Sequence, residues 1–245
     1  MDLTAVRTRG TQFSHPALPS WLLAAGEKRY LKGRGLVVNF NSQALRLNNS
    51  QDTQLAAFSS QIRCNEFITP ALNCLLFELP EALIAGRNIA RERQERYPGT
   101  RYDGIWADKV DFFRSLQDEI AALSFPPQRL TVNSDAVYDS QDFSLRANLW
   151  FADAGTHCGI HNEHSFIELH TQILGIGRMQ TFKNEARSSL CEDLILAPGA
   201  TTSQAFCRIS NQHYNYPYHQ YYADTPSVWL ALEYHPLSND EAKNV

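Results

Sequence analysis

Strict alternation is the feature that most restricts what this chain can fold into. In FSLRANLWF, Phe143, Leu145, Ala147, Leu149 and Phe151 alternate with Ser144, Arg146, Asn148 and Trp150. A period of two fits a strand with unlike faces. FIELHTQIL repeats it, with Ile167, Leu169, Thr171 and Ile173 on one side and Glu168, His170 and Gln172 on the other. EDLILAPG and SVWLALEYH add two candidate strands, bounded by Pro198-Gly199, Thr225-Pro226 and Pro236. Short strands with turn signals and no helical spacers predict a sandwich or barrel from about Gln128 onward, not βαβ units. A strand face that carries Glu, His and Gln is either solvated or lines a wet cavity.

The first 125 residues read differently. In GIWADKVDFFRSLQDEIAAL, Trp106, Val110, Phe113, Leu116, Ile120 and Leu123 step by three or four, which predicts an amphipathic helix ended by Phe125-Pro126-Pro127. A second helix is expected in PEALIAGRNIARERQERYPG, with Pro80 at its start and Pro98-Gly99 at its stop. Its arginines are interleaved with Glu92 and Glu95, as on a solvated face. The expected organisation is an α+β extension over 1–125 packed on the barrel, a β-barrel over 126–237 and a frayed tail over 238–245.

Composition excludes several function classes. With 22 basic and 26 acidic residues the formal charge is −4, which gives no general attraction to nucleic acid or an anionic membrane. No run approaches the roughly 18 apolar residues that span a bilayer, and the start MDLTAVRTRGTQFSHP has no apolar h-region. Five cysteines, odd in number and without a CxxC, fit reduced thiols better than a disulfide framework or a zinc module. A cytoplasmic protein is expected.

Four of the eight histidines fall within fourteen residues, His157, His161, His164 and His170, with Glu163 and Glu168 among them. Imidazole nitrogen and carboxylate oxygen suit a divalent transition metal, whereas a hard ion such as calcium would call for oxygen ligands alone. On an extended segment His161 and Glu163 point to one side and could take one ion together. His164 would then point away unless the chain turns, and a distant third ligand must close the site.

Here the sequence resembles the cupins, small double-stranded β-helix (jelly-roll) barrels. Their first motif runs Gly, five residues, His-x-His, three or four residues, Glu, six residues, Gly. This chain has Gly155, THCGI, His161-Asn162-Glu163, HSFI, Glu168, LHTQIL and Gly175. Glu163 stands where the second histidine is usual, and His164 is one position late, so either can complete the set. EDLILAPGATT resembles the second motif up to its Pro-Gly turn. The ligand histidine that should follow is delayed to His213 or His219, of which His219 lies one turn-length before a clear strand. The resemblance implies metal ligands His161, His219 and one of Glu163 and His164, with Glu168 in the lumen.

A Glu in place of the second His also resembles the iron and 2-oxoglutarate oxygenases, including the JmjC branch. Their Fe(II) is held by His-x-Asp/Glu and a distal His, the pattern of His161, Glu163 and His219. A cation for the cosubstrate would then come from Arg178 or Lys183. Five tyrosines crowd His219, and beside a metal a phenol such as Tyr221 can donate a proton. The leading expectation is an Fe(II)-dependent, cofactor-free dioxygenase acting on a small organic metabolite, with Glu168, Tyr221 and Arg178 as candidate catalytic residues, Arg178 as cofactor binder, and a possible homodimer. 2-Oxoglutarate dependence is the less favoured variant. The alternatives are a non-oxidative isomerase, epimerase or lyase, and a non-catalytic small-molecule-binding cupin, because one fold hosts all of these.

Overall fold

The computed structural model describes residues 7–48, 53–79, 95–96, 112–132, 137–202, 206–210 and 213–237. They form two compact units, one over Met1–Glu92 with Gly199–Thr201, the other over Arg93–Pro198 with Thr202–Val245. Among the described residues there are strands and short 3-10 turns but no α-helix, and no helix long and apolar enough to cross a membrane. The five cysteine thiols form no disulfide with one another.

The first unit holds β1 (Arg9–Gly10), β2 (Ser20–Leu23), β3 (Arg29–Asn39), β4 (Leu45–Arg46), β5 (Gln54–Leu55), β6 (Ser59–Ile68) and β7 (Cys74–Leu79). Its sheet runs β1-β2-β7-β3-β6, antiparallel throughout. Leu23, Leu31, Val37, Leu45, Leu47, Leu76 and Cys74 pack in its core, where burial pushes the Cys74 thiol up to about 12. Asn39 at the end of β3 is fully buried. Its Nδ2 donates to Gln43 O and Ala56 O, both at 2.8 Å, while its Oδ1 accepts from Asn41 N and Nδ2. Asn39→Asp keeps the shape but loses both donors, so two carbonyls face a carboxylate in a dry core. The expected cost is at least about 2 kcal/mol, read as a lower melting temperature of this unit by calorimetry. A thermogram superimposable on wild type would show that the network contributes nothing.

The second unit holds β8 (Glu95–Arg96), β9 (Phe112–Arg114), β10 (Asp118–Phe125), β11 (Gln141–Ala152), β12 (Ile167–Leu174), β13 (Gly177–Phe182), β14 (Leu190–Leu196), β15 (Arg208–Ser210), β16 (His213–Asn215), β17 (Tyr218–Ala223) and β18 (Ser227–Pro236). One sheet runs β12-β18-β11-β9-β8, with β10 also on β11, and a second runs β14-β13-β17. The two sheets are joined by winding. β11 pairs with β18, and the chain beyond it pairs with β17 through bridges His157–Tyr222 and His161–His219. β12 pairs with β18 and β13 with β17. β14 pairs with β13, and past it the Thr202 amide reaches His170 O on β12 at 2.9 Å. Each antiparallel pair thus passes from one sheet into the other, which is a double-stranded β-helix; the alternation predicted a sandwich or barrel, and the resemblance to the cupins implied this winding.

The α+β extension is not borne out. The helix expected over 104–123 is replaced, in its described part, by β9 and β10, which pair with β11. Apolar steps of three or four fit a strand as well when the register shifts, as it does between Glu119 and Ala121. A twelve-residue β11 offers a long ladder of backbone groups, and pairing them outweighs a weak local helix preference. The expected helix over 80–99 lies outside the described residues apart from Glu95–Arg96, which are strand, and the tail over 238–245 lies outside them altogether.

Candidate metal centre and barrel lumen

The two glycines of the first motif sit where the backbone demands them. Gly155 and Gly175 both have positive φ, 81° and 72°, a region that side chains disfavour. At Gly175, between β12 and β13, a Cβ would also meet Pro226 O at 2.2 Å. These turns fix the ends of the segment that carries His161, His164 and Glu168.

His161 and His219 face each other across two reciprocal backbone bonds, His161 N to His219 O at 3.0 Å and His219 N to His161 O at 2.8 Å. Each ring is oriented by its Nδ1, which lies 2.9 Å from a carbonyl, Gly159 O for His161 and Pro217 O for His219. Carbonyls only accept, so Nδ1 carries the proton in both rings and each Nε2 presents a lone pair. Both lone pairs converge on one atom, His164 Nε2, at 3.0 and 3.1 Å. A single imidazole proton cannot serve both. The Nε2 donor set, with every ligand atom within 4.8 Å of the others, suits one divalent cation, and the Nδ1–H···O=C bonds are the outer contacts that steady metal-binding histidines. Burial, then the neighbouring His161, pushes His219 down to about 3, which keeps it neutral and able to ligate.

Of the two residues that could complete the set, His164 is the one whose ring meets the other two. Glu163 is exposed and lies outside this group, although it too lines the cavity beside the cluster. The carboxylate beside the cluster is Glu168, buried on β12, with Oε2 3.9 Å from His164 Nε2 and Oε1 3.4 Å from His170 Nε2. Burial by itself would raise its carboxyl pKa. His170, by charge and hydrogen bond, and then His164 outweigh that and hold it well below the ordinary carboxylate range. The Glu168 amide donates to Tyr216 Oη, which donates to Phe166 O, both at 2.9 Å.

A cavity of about 330 Å³ opens onto the cluster, lined among others by Glu168, His170, Met179, Tyr221, Trp150 and Trp229. The polar face of β12 therefore lines the lumen. Tyr221 is buried, stacks on Trp229 at 3.6 Å between centroids and donates to Gln172 Oε1 at 2.8 Å, and burial raises its phenol. Arg178 requires a correction. Its Nε bonds Asp224 at 2.7 and 2.9 Å and its Nη1 bonds Asp193 at 2.7 Å. It is not among the cavity-lining residues, since the neighbouring Met179 takes the inward position on β13, so it is no anchor for a cosubstrate in the lumen. His213, placed in a loop by the sequence, is exposed on β16.

Three lining residues escaped the sequence reading: Arg114, Gln117 and Glu233. Glu233 accepts from Asn148 Nδ2, Gln117 Nε2 and His235 Nε2, each at 2.9 Å. Alternation in SVWLALEYH puts Trp229, Ala231 and Glu233 on one face, a pattern that could have marked it. Arg114 and Gln117 were hidden by the helical reading of their segment.

No family model matches the sequence, and no curated protein matches it. Among solved structures it is similar to KdgF from Halomonas sp. (16% identity over 61% of this chain and 91% of that one, TM-score 0.31). It is also similar to a cupin 2 conserved barrel domain protein from Leptotrichia buccalis (10%, 97% and 92%, TM-score 0.28) and to Bacillus subtilis oxalate decarboxylase, described with Mn(II) centres (11%, 91% and 70%, TM-score 0.32). What decides the fold is the winding of β11 to β18 with the motif seated on it. The second unit has the double-stranded β-helix fold that the resemblance to the cupins implies. His161 and His164 stand in the segment before β12 and His219 at the start of β17.

Proposed function

We propose that this chain is a metal-dependent enzyme acting on a small organic molecule inside the cupin-type barrel. The observation that carries the reading is the convergence of the His161 and His219 lone pairs on His164, beside the buried carboxylate of Glu168. An ion held there supplies a Lewis acid toward a carbonyl, carboxylate or dioxygen. The rest is done by the chain. Glu168, its carboxylate oxygens 3.4 Å from His170 Nε2 and 3.9 Å from His164 Nε2, lies where a carboxyl group can exchange a proton with a substrate carbon or hydroxyl in the lumen. Tyr221, pinned by Gln172, and Trp229 form a rigid wall, and the enclosed lumen limits water at the reacting centre. This geometry favours proton-transfer chemistry, that of an isomerase, epimerase or lyase.

The second reading is an Fe(II)-dependent, cofactor-free dioxygenase at the same site. It is supported by a set of three histidines with a carboxylate alongside, and by the engagement of Arg178 with Asp193 and Asp224, which takes away the anchor a 2-oxoglutarate enzyme would need. Turnover of a metabolite panel by protein loaded with Mn(II), Zn(II) or Fe(II), with and without oxygen, separates the two. Anaerobic turnover with Mn or Zn is the expected result. Turnover only with Fe(II), with oxygen consumed in proportion to substrate lost and no succinate formed, would favour the dioxygenase.

A further inference from the structure

One row of the larger sheet's lumen face is built unlike the others. Across it Arg114 on β9 stands opposite Trp150 on β11, Trp150 opposite Trp229 on β18, and Trp229 opposite Gln172 on β12; Glu95 of β8 holds the next register position beyond Arg114. Directly opposed residues share a sheet face. The two indoles are stacked, centroids 6.1 Å apart at 10°, and the Arg114 guanidinium carbon lies 5.7 Å from the Trp150 centroid, within cation–π range. Among the described residues that line the cavity, Arg114 is the sole arginine or lysine.

We propose that this row is a recognition subsite for an organic monoanion, whose carboxylate is taken by Arg114 and whose flat, unsaturated body lies against Trp150. This deepens the reading of the lumen as an enzyme site and rests on it for the substrate role. The guanidinium is planar, weakly hydrated and matched to a carboxylate by two parallel donors. With five N–H groups it can hold a neighbour in the fold and still present such a pair. The two buried lumen carboxylates have other partners: Glu168 has His170 and His164, and Glu233 has Asn148, Gln117 and His235. The three glutamates that line the cavity, Glu163, Glu168 and Glu233, oppose a polyanion such as a nucleotide. A cavity of about 330 Å³ lies at the small end of ligand sites.

The test is calorimetric titration of the full-length protein, Zn-loaded and chelator-treated, with benzoate and with its neutral isostere benzamide. Benzoate is expected to bind at least tenfold more tightly than benzamide in both metal states. Arg114→Gln should abolish that preference and Arg114→Lys restore only part of it. Persistence of the preference without metal supports the subsite whether or not the histidine cluster is a metal centre. The proposal is overturned by equal binding of the two probes, by no saturable binding of benzoate, or by a preference that survives Arg114→Gln. A preference that vanishes with the metal also overturns it, because the carboxylate would then sit on the ion. The comparison of probes on wild type stands even if a variant misfolds.

Discussion

Replacing His161 or His219 by Ala is expected to reduce bound divalent metal to near zero while the barrel survives. Each ring supplies an Nε2 already oriented by a carbonyl at its Nδ1, so removing one leaves a two-nitrogen site with no comparable affinity. His164→Ala should do the same and Glu163→Gln should not, because His164, not Glu163, meets the other two rings. Metal analysis of protein purified without chelator reads this directly. The melting temperature gives a second reading. At a hundredfold excess over Kd a ligand that binds only the folded state stabilises it by about 2.7 kcal/mol, so wild type should gain on adding metal and the three His variants should not. Full metal content in both the His161 and His219 variants would mean that the cluster is a hydrogen-bonded group and no metal centre.

Glu168→Gln is expected to lower turnover of any substrate found on the panel by roughly 10²–10⁴, the usual share of a general acid–base residue. The amide keeps the shape of a side chain buried among His164 and His170, so the fold should persist and the loss should appear in kcat. Glu163→Gln serves as the control. It removes a charge of the same type five residues away in sequence but exposed and outside the histidine cluster, and turnover should hold. Equal effects of the two variants on metal and turnover would remove the basis for a role of Glu168. Arg178→Met should likewise leave turnover and cosubstrate response unchanged, because its guanidinium is bound to Asp193 and Asp224 away from the lumen; a large loss would revive a 2-oxoglutarate mechanism.

What the sequence determined by itself was whatever a period or a fixed spacing encodes. Side chains alternate across a strand, so FSLRANLWF and FIELHTQIL gave both the strands and their faces, and the polar face of the second became the lumen wall with Glu168 and His170, Gln172 standing behind Tyr221. Gly155 and Gly175 need positive φ, so their spacing around His161 and Glu168 recorded turns that the fold keeps. His219 could be chosen over His213 because it precedes a clear strand. The tertiary structure alone decided the rest. The choice between Glu163 and His164 depended on the path of the irregular segment between His161 and β12, which no periodicity specifies. Edge pairing turned the expected helix into β9 and β10, since the ladder offered by β11 is a nonlocal partner that a local window cannot contain. The same pairing set Arg114 beside Trp150 in the lumen, while Arg178, the arginine that position in sequence favoured, was drawn into its own pair of aspartates.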